Sequence, residues 1–573
     1  MSVHNSEIAK EFDRLADLLE IKGENQFKVR SYRNAALTIS GLAKNIAEIF
    51  EKEDIKELPG IGKSIAGKIK EYIETGHISK LEKLKKDIPG GLADLTGIGG
   101  LGPKKVRKLY DELGIANPDQ LREAAVSGQI AGLEGFGTKT QEKILEDLKR
   151  FQQKEKNVRH KWIEAEDILN PLLDYLGKIK DVTKIEAAGS FRRKKETVGD
   201  IDILAICEKS QEIMNRFTGY EEVEKVIAKG ITKSSVILKS GIQADLRVIP
   251  SESYGSVLVY FTGSKEHNVA MRKIAISKKL KINEYGVYKG NKRIAGKTED
   301  EVYKSIGLKY IEPELRENMG EIEAAQKNKL SDLVTLHDIR GDLQNYTNAT
   351  DGKYSLEEMV EAARQKGYEY MAITDHSKRV TMARGLDEKR LARQIKEIDK
   401  LNSSLKNFLI FKSVEVDILP DGSLDLSDDI LKELDLVLCA IHYNQNLSME
   451  KQTERVLKAM DNKYFNIFAH PTGRLIGERE PYEIDMEKIM QAAKSKGCYL
   501  EINANPSRLD LTEIHAKRAK EIGLKIAIST DAHSTGNLDY MRLGVYQARK
   551  GWLEKDDVLN TRTWNELKKL LKR

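Results

Sequence analysis

Cysteine is scarce in this sequence, and long apolar runs are missing. Only Cys207, Cys439 and Cys498 occur in 573 residues. Their wide separation excludes a disulfide framework or a zinc knuckle and points to a reducing cytoplasm. No run of about 20 apolar residues is present, so no membrane span is expected. The first residues, MSVHNSEIAKEFDRLADLL, are charged from the start and spaced as an amphipathic helix, with no apolar signal-peptide core. Excess charge is small as well: +6, from 96 basic and 90 acidic residues. That permits a nucleic-acid partner without arguing for one, because clustering decides the matter. What the chain does have is length. At roughly 100–200 residues per domain it holds three to five domains, and its 40% hydrophobic content can fill several cores.

Residues 1–85 read as short amphipathic helices, interrupted by a Gly-rich turn in LPGIGKSIAGKIKEYI (Leu58 to Ile73). The pattern returns in GGLGPKKVRKLY (Gly99 to Tyr110) and, more weakly, in LEGFGTKTQEKIL (Leu133 to Leu145). A helical stretch over 141–175 leads into β-type sequence, with strands expected near Lys184–Ala188, Asp200–Cys207, Ser234–Leu238 and Ala244–Ile249. The charged segment Glu314 to Asp332 is the linker candidate. Beyond it, apolar β runs alternate with helical stretches at Tyr370–Ile373, Phe408–Val414, Leu436–Ala440, Asn466–Ala469, Tyr499–Ile502 and Lys525–Ile528. That βα rhythm suggests a parallel barrel, whose chemistry sits just after its strands.

Each G-x-G turn lets two helices approach closely and leaves backbone N–H groups free at a helix start, where a DNA phosphate can bind. Gly60, Gly62, Gly100 and Gly102 are the candidates, and Lys63, Lys104, Lys105 and Lys139 add attraction that is independent of base sequence. One copy alone would be an ordinary Gly-capped turn. Two good copies and a third weaker one favour a non-specific DNA grip, and they resemble helix-hairpin-helix motifs.

The sharpest signal is GSFRRKKETVGDIDIL, Gly189 to Leu204. Asp200 and Asp202 are two apart on an expected strand, so both point to one face. Paired carboxylates there suit two Mg²⁺ or Mn²⁺ ions, and Asp245 in QADLRVIP can supply a third. Upstream, Gly189 and Ser190 form a tight turn suited to phosphate oxygens, and Arg193 can neutralise a triphosphate. A lone D-x-D is more often an exposed edge strand; the G-S turn before it and the Asp-bearing strand after it weigh against that here.

This segment resembles the nucleotidyltransferase signature of family X (polymerase beta-like) DNA polymerases. YFTGSKEHNVAMR (Tyr260 to Arg272) resembles that family's nucleotide-binding segment, and INEYG (Ile282 to Gly286) its thumb motif. The match runs in family order over about residues 1–320. The resemblance implies that Asp200 and Asp202 bind both metals. Asp245 would bind the catalytic one and serve as candidate base for the primer 3′-hydroxyl. It also implies that Ser190, Arg193 and Gly199 hold the triphosphate. Tyr260, Phe261 and Gly263 would line the sugar, Asn268 would reach the base, and Arg272 would contact the template side. Lys265 departs from the polymerase beta branch, which has an acidic residue there.

FKVRSYRNAA (Phe27 to Ala36) and Lys68 resemble the deoxyribose-phosphate lyase domain of polymerase beta. Lys68 matches the Schiff-base lysine, and Lys28, Tyr32 and Lys80 match the 5′-phosphate pocket. A Schiff-base lysine needs a lowered pKa; the bland reading is a solvated lysine on a DNA-binding helix, and both stay open.

Residues 331–573 resemble the polymerase and histidinol phosphatase (PHP) domain that follows the polymerase in bacterial and archaeal family X enzymes. The matching segments are GDLQNYTNATDG, AITDHS, VEVDILPDG, AIHYN, AHPTGR, EINANPSRLD and STDAHS. The resemblance implies that Asp351, His376, Glu415, His442, His470, Asp531 and His533 converge as ligands of a multinuclear Zn²⁺ or Mn²⁺ site. Its activity would be 3′–5′ exonuclease or abasic-site cleavage. The family's opening H-x-H motif is absent: Gln344 and Tyr346 stand there.

The expected architecture is multidomain α/β. It comprises a helical lyase-like DNA-binding domain (1–85), fingers with helix-hairpin-helix motifs (86–155), a nucleotidyltransferase palm (156–250) and a thumb (251–316). A linker (317–332) and a distorted (βα) barrel of PHP type (333–573) complete it. The expected function is DNA-directed DNA synthesis across short gaps in repair, by a cytoplasmic, nucleoid-associated monomer. Its partners would be gapped or primer-template DNA and deoxynucleoside triphosphates. The rivals are a nucleotidyltransferase acting on another acceptor such as RNA, and a DNA-binding scaffold with a weak or inactive PHP domain.

Overall fold

The apolar spacing of the first helix, Asn5–Ile21, puts Ile8, Phe12, Leu15 and Leu19 on one buried stripe. Those residues share a core with Val29, Tyr32, Ala36 and Ile39 of the helix Gln26–Ser40. The computed structural model describes residues 5–40, 60–88, 101–138 and 159–572, with scattered positions between them. It divides into two compact units, 1–157 and 158–573.

The first unit is helical. Gly62 caps the helix Lys63–Thr75, and Gly60 before it adopts φ +78°. Gly102 caps Pro103–Leu113, with Pro103 at the first helical position, where its missing N–H costs nothing. A Cβ added at Gly62 or Gly102 meets nothing within 4 Å, so the backbone at both turns lies open to an approaching phosphate. Gly100 and Lys139 lie outside the described residues.

The second unit holds two larger sheets. A five-stranded sheet runs in the order Val182–Ala187, Asp200–Cys207, Gln243–Val248, Lys233–Leu238, Val223–Lys229. Its two central strands, Asp200–Cys207 and Gln243–Val248, are parallel; the other neighbours are antiparallel. The second sheet has seven parallel strands in chain order: Gly341–Asn345, Tyr370–Ile373, Leu409–Asp417, Leu436–Ala440, Ile467–Phe468, Tyr499–Asn503 and Ile526–Ser529. A bridge between Asn345 and Ala532 brings the two edges together, so the sheet is a nearly closed barrel. Two strands of these two sheets have no counterpart among the expected ones. Val223–Lys229 is exposed along nearly its whole length, and Gly341–Asn345 is wholly buried although largely polar. Neither shows the apolar alternation by which strands are read. Residues 317–332, expected as a linker, contain the helix Glu321–Gln326. Its Ile322 and Ala325 pack in a core with Val302, Ile306 and Trp552. Among the described residues, no helix is long and apolar enough to cross a membrane.

One buried ionic centre ties the thumb to the turn after Ala188. Glu299 accepts from Arg192 on both oxygens (2.9 and 2.7 Å) and from Arg316 (2.7 Å). Burial works to raise the pKa of this carboxyl, but the two guanidinium groups prevail and hold it at about 2. The folded value lies below the ordinary 4.5, so the stabilisation is complete above pH 4.5 and lost as pH falls toward 2. Glu299→Gln is expected to destabilise the second unit by about 3 kcal/mol at pH 7. The difference from wild type should shrink between pH 4.5 and pH 2 in urea titrations; a constant difference over that range would count against this pairing.

Candidate active sites

The parallel pairing in the five-stranded sheet decides the geometry of the first site. Asp202 stands directly opposite Asp245 across the two central strands, and Asp200 is two residues back on the same face. Burial, and then the charges of Asp200 and Asp245, push the Asp202 carboxyl up to about 6. Asp245 goes the other way. Burial raises it, but Lys233, Gln243 and Ser235 bond to the carboxylate and hold it below its ordinary value. Lys233 Nζ lies 2.8 Å from one oxygen, and Gln243 Nε2 donates to the other at 3.0 Å. Three carboxylates crowded onto one face repel one another, and divalent cations relieve that repulsion. The donor set is all oxygen and fits Mg²⁺ or Mn²⁺.

The turn upstream is built around the same carboxylates. Gly189 adopts φ +63°, and a Cβ there would lie 2.7 Å from Asp202 Oδ2, so any other residue would be strained and would displace the Asp202 carboxylate. Ser190 follows in the short helix Gly189–Arg192. Arg193 donates to Glu317 (2.9 Å) and to the Thr262 carbonyl (2.5 Å), which joins the turn to Gly263 at φ +69°. Gly199 backs onto Arg159. Tyr260 and Phe261 pack edge to face at 5.1 Å, and Asn268 donates to the Tyr260 carbonyl at 2.7 Å. Arg272 lies on the same helix as Asn268, Lys265–Ser277. The residues expected to hold a nucleotide thus lie in two stretches of chain, Gly189–Gly199 and Tyr260–Arg272; Gly189 packs against Asp202, and Arg193 bonds across to Thr262. Lys233 was not among the expected residues. Its register position two strands from Asp202 is invisible without the sheet order.

In the first unit, Lys68 and Lys80 lie over the Tyr32 ring at 5.9 and 5.5 Å. Lys28 pairs with Glu24 at 3.1 Å. Desolvation, and then the cations Lys28 and Lys68, lower Lys80 to about 8. Lys68 bonds to Ser64 at 3.3 Å.

The barrel mouth gathers the remaining candidates around Glu415, which is fully buried. His376 Nδ1 lies 2.7 Å from Glu415, His470 Nε2 2.9 Å and His442 Nε2 3.5 Å. Burial opposes ionisation of Glu415, yet the histidines hold its pKa well below the ordinary range. Asp351 stands 3.6 Å from His376 and 3.5 Å from His533. Two groups, Asp351–His376–His533 and His376–Glu415–His442, have the spacing to hold a metal ion. Asp531 faces Arg508 at 3.4 Å and lies 3.9 Å from His533 Nδ1.

The position of the missing H-x-H motif does not fit a cation. Tyr346 donates to Glu415 at 2.9 Å, and Gln344 Nε2 donates to Glu415 (3.1 Å) and to Tyr346 (2.8 Å). Burial and the Glu415 charge raise the Tyr346 phenol well above its ordinary value, in keeping with its role as a hydrogen-bond donor to Glu415. Its ring stacks on His533 at 4.1 Å and tilts against His376 at 4.7 Å. Asp417 was also missed. It accepts from His442 Nδ1 (3.2 Å) and pairs with Arg379 (2.7 Å), an outer partner that orients the ring. The signal was present: Asp417 follows Glu415 by two on one strand, so both point the same way.

Comparison with known proteins agrees with this arrangement. Family models match residues 3–78 (helix-hairpin-helix domain), 92–150 (SAM-like helix-hairpin-helix tandem), 257–317 (DNA polymerase beta thumb) and 342–505 (PHP domain). A DNA polymerase/3′–5′ exonuclease PolX of Bacillus subtilis (strain 168) is 41% identical over 575 residues, covering 100% of both chains. A probable phosphatase of Thermoanaerobacter sp. (strain X514) is 31% identical over 232 residues, 38% of this chain and 90% of its own length. A probable phosphatase of Caldanaerobacter subterraneus is 28% identical over 204 residues, 33% of this chain and 76% of its own. With helix-hairpin-helix modules, a carboxylate-bearing palm, a thumb and a PHP barrel in one order, and a full-length relative at this identity, the chain belongs to the family X DNA polymerases that carry a C-terminal PHP domain.

Proposed function

We propose that this protein extends primer 3′-ends with deoxynucleotides across short gaps in DNA, as a repair polymerase. The observation that carries this reading is the cluster of Asp200, Asp202 and Asp245 on paired parallel strands, closed on one side by the turn at Gly189. Divalent ions bound there, Mg²⁺ or Mn²⁺, would lower the pKa of the attacking hydroxyl and neutralise the leaving pyrophosphate. The chain's own residues do the positioning. Ser190 and Arg193 hold the triphosphate, and the Tyr260–Gly263 segment lines the sugar. Asp245, kept ionised by Lys233 and Gln243, is the candidate acceptor of the primer proton. The helix-hairpin-helix turns grip the duplex backbone without reading sequence. The enzyme works on DNA as a monomer in the cytoplasm.

Asp202→Ala or Asp245→Ala should lower primer extension on the order of a thousandfold, with gapped-DNA binding intact. Extension near the wild-type rate would overturn the assignment. Because protons compete with metal at Asp202, Mn²⁺ binding should weaken by about tenfold per pH unit below pH 6 and level off above it. Electron paramagnetic resonance of free Mn²⁺ checks this, and a flat profile from pH 5 to 8 would exclude Asp202 as a ligand.

The lysines around Tyr32 fit a 5′-phosphate and a Schiff-base nucleophile, Lys68. Borohydride trapping on an abasic 5′-end should fall at least about tenfold in Lys68→Ala. Retention there with loss in Lys80→Ala would move the nucleophile to Lys80, the lysine whose pKa is lowered.

For the barrel we infer a weakened 3′–5′ exonuclease that favours Mn²⁺ over Zn²⁺, with one metal of its cluster loosely held or missing. The double variant Gln344→His/Tyr346→His should gain one bound metal by elemental analysis and should degrade single-stranded 3′-ends faster. Equal metal content in both proteins would show that the two substitutions leave the site's capacity unchanged.

A further inference from the structure

The palm's nucleotide-binding turn does not stand alone. Its downstream half, Arg193 to Glu196, is held side chain by side chain, and the barrel supplies much of the grip. Glu196 takes the guanidinium of Arg474 on both oxygens, one contact measuring 3.1 Å, and also accepts from Gln547 at 3.3 Å. Arg474 in turn bonds the Leu509 carbonyl. Lys195 Nζ lies 3.3 Å from Glu513 of the barrel and 3.8 Å from Glu317. Lys194, at φ +56°, places its ammonium over Trp162 (4.3 Å), Tyr546 of the barrel (4.4 Å) and Phe191 (5.4 Å). Leu509 and Leu543 of the barrel share one hydrophobic core with Trp162, Phe191 and Val198. The Arg474 and Glu196 side chains keep only 12% and 21% of their exposure, so this pair is more than a solvated surface contact.

A bidentate, largely desolvated Arg–carboxylate pair fixes orientation as well as distance. Here it fixes the residue three positions after Arg193 and six after Ser190, the two side chains proposed to hold the triphosphate. We propose that Arg474 is a positioning residue of the polymerase site: through Glu196, the PHP barrel sets the geometry of the palm's triphosphate turn. The barrel is then part of the nucleotide site as well as a nuclease module. This inference rests on the polymerase reading of the palm.

The test uses the full-length protein in single-nucleotide gap filling. Arg474→Ala should raise the KM for deoxynucleotide about tenfold, while kcat and the Kd for gapped DNA change by no more than about twofold. Arg474→Lys should recover part of the loss, because it restores one charge but not the bidentate fork. Glu196→Gln, made from the palm side, should show the same KM effect and serves in place of Arg474→Ala if that variant does not fold. Arg549→Ala breaks another barrel ion pair, to Glu314 at 2.7 Å, and should leave KM unchanged. An unchanged KM in Arg474→Ala and Glu196→Gln, or an equal rise in Arg549→Ala, overturns the proposal. Absence of extension in wild type would instead refute the polymerase reading. Equilibrium binding of deoxynucleotide in Ca²⁺, compared between wild type and Glu196→Gln, would then still decide the positioning role.

Discussion

Mutual repulsion among carboxylates set side by side is the constraint around which the second unit is arranged. Asp202 and Asp245 face each other on adjacent parallel strands, with Asp200 alongside. A cluster of this kind is tolerable only with cations close by, and the chain supplies protein cations where it can. Lys233 sits on Asp245, and Arg192 and Arg316 sit on Glu299 behind the turn. Gly189 is the geometric counterpart of this electrostatics, since a side chain there would collide with Asp202. Strand pairing, the glycine turn and the thumb's ionic centre are therefore one problem with linked solutions.

The barrel shows the same constraint resolved differently. Glu415 is fully buried among three histidines, and two groups that share His376 have the spacing to hold a metal ion. Where the family has its H-x-H motif, Tyr346 and Gln344 donate hydrogen bonds to Glu415. A neutral donor satisfies the carboxylate's lone pairs without supplying charge. Asp531 lies between Arg508 and His533.

Palm and barrel share a hydrophobic core through Leu509 and Leu543, and ion pairs such as Arg542–Glu166 and Arg549–Glu314 reinforce it. Interfaces between domains of one chain are ordinarily more polar and looser than this. The helix Glu321–Gln326 adds to the seam, because Glu321 is buried against His267 at 2.7 Å and accepts from the backbone of Asn318 and Met319. A charged segment that looks like a linker can therefore fold when its acidic residue has a buried partner waiting far away in sequence.

The chemistry was legible in the sequence wherever it depends on local spacing. Period-two alternation put Asp200 and Asp202 on one face, glycine marked the hairpin turns, and the βα rhythm marked the barrel strands. Ligand types could be named one motif at a time, and Gln344 and Tyr346 could be seen as departures. Local pattern could not show the exposed strand Val223–Lys229 or the buried polar strand Gly341–Asn345. The first has no buried face, and the second buries polar groups whose partners lie on other strands. Nor could it show that Lys233 reaches Asp245, that Tyr346 donates to Glu415, or that Arg474 holds Glu196. Those contacts join residues from 12 to 278 positions apart. A side chain's periodicity fixes the direction in which it points. Its partner is decided only when strands pair and cores close, so the identity of each candidate group was set by the sequence and its electrostatic surroundings by the tertiary structure.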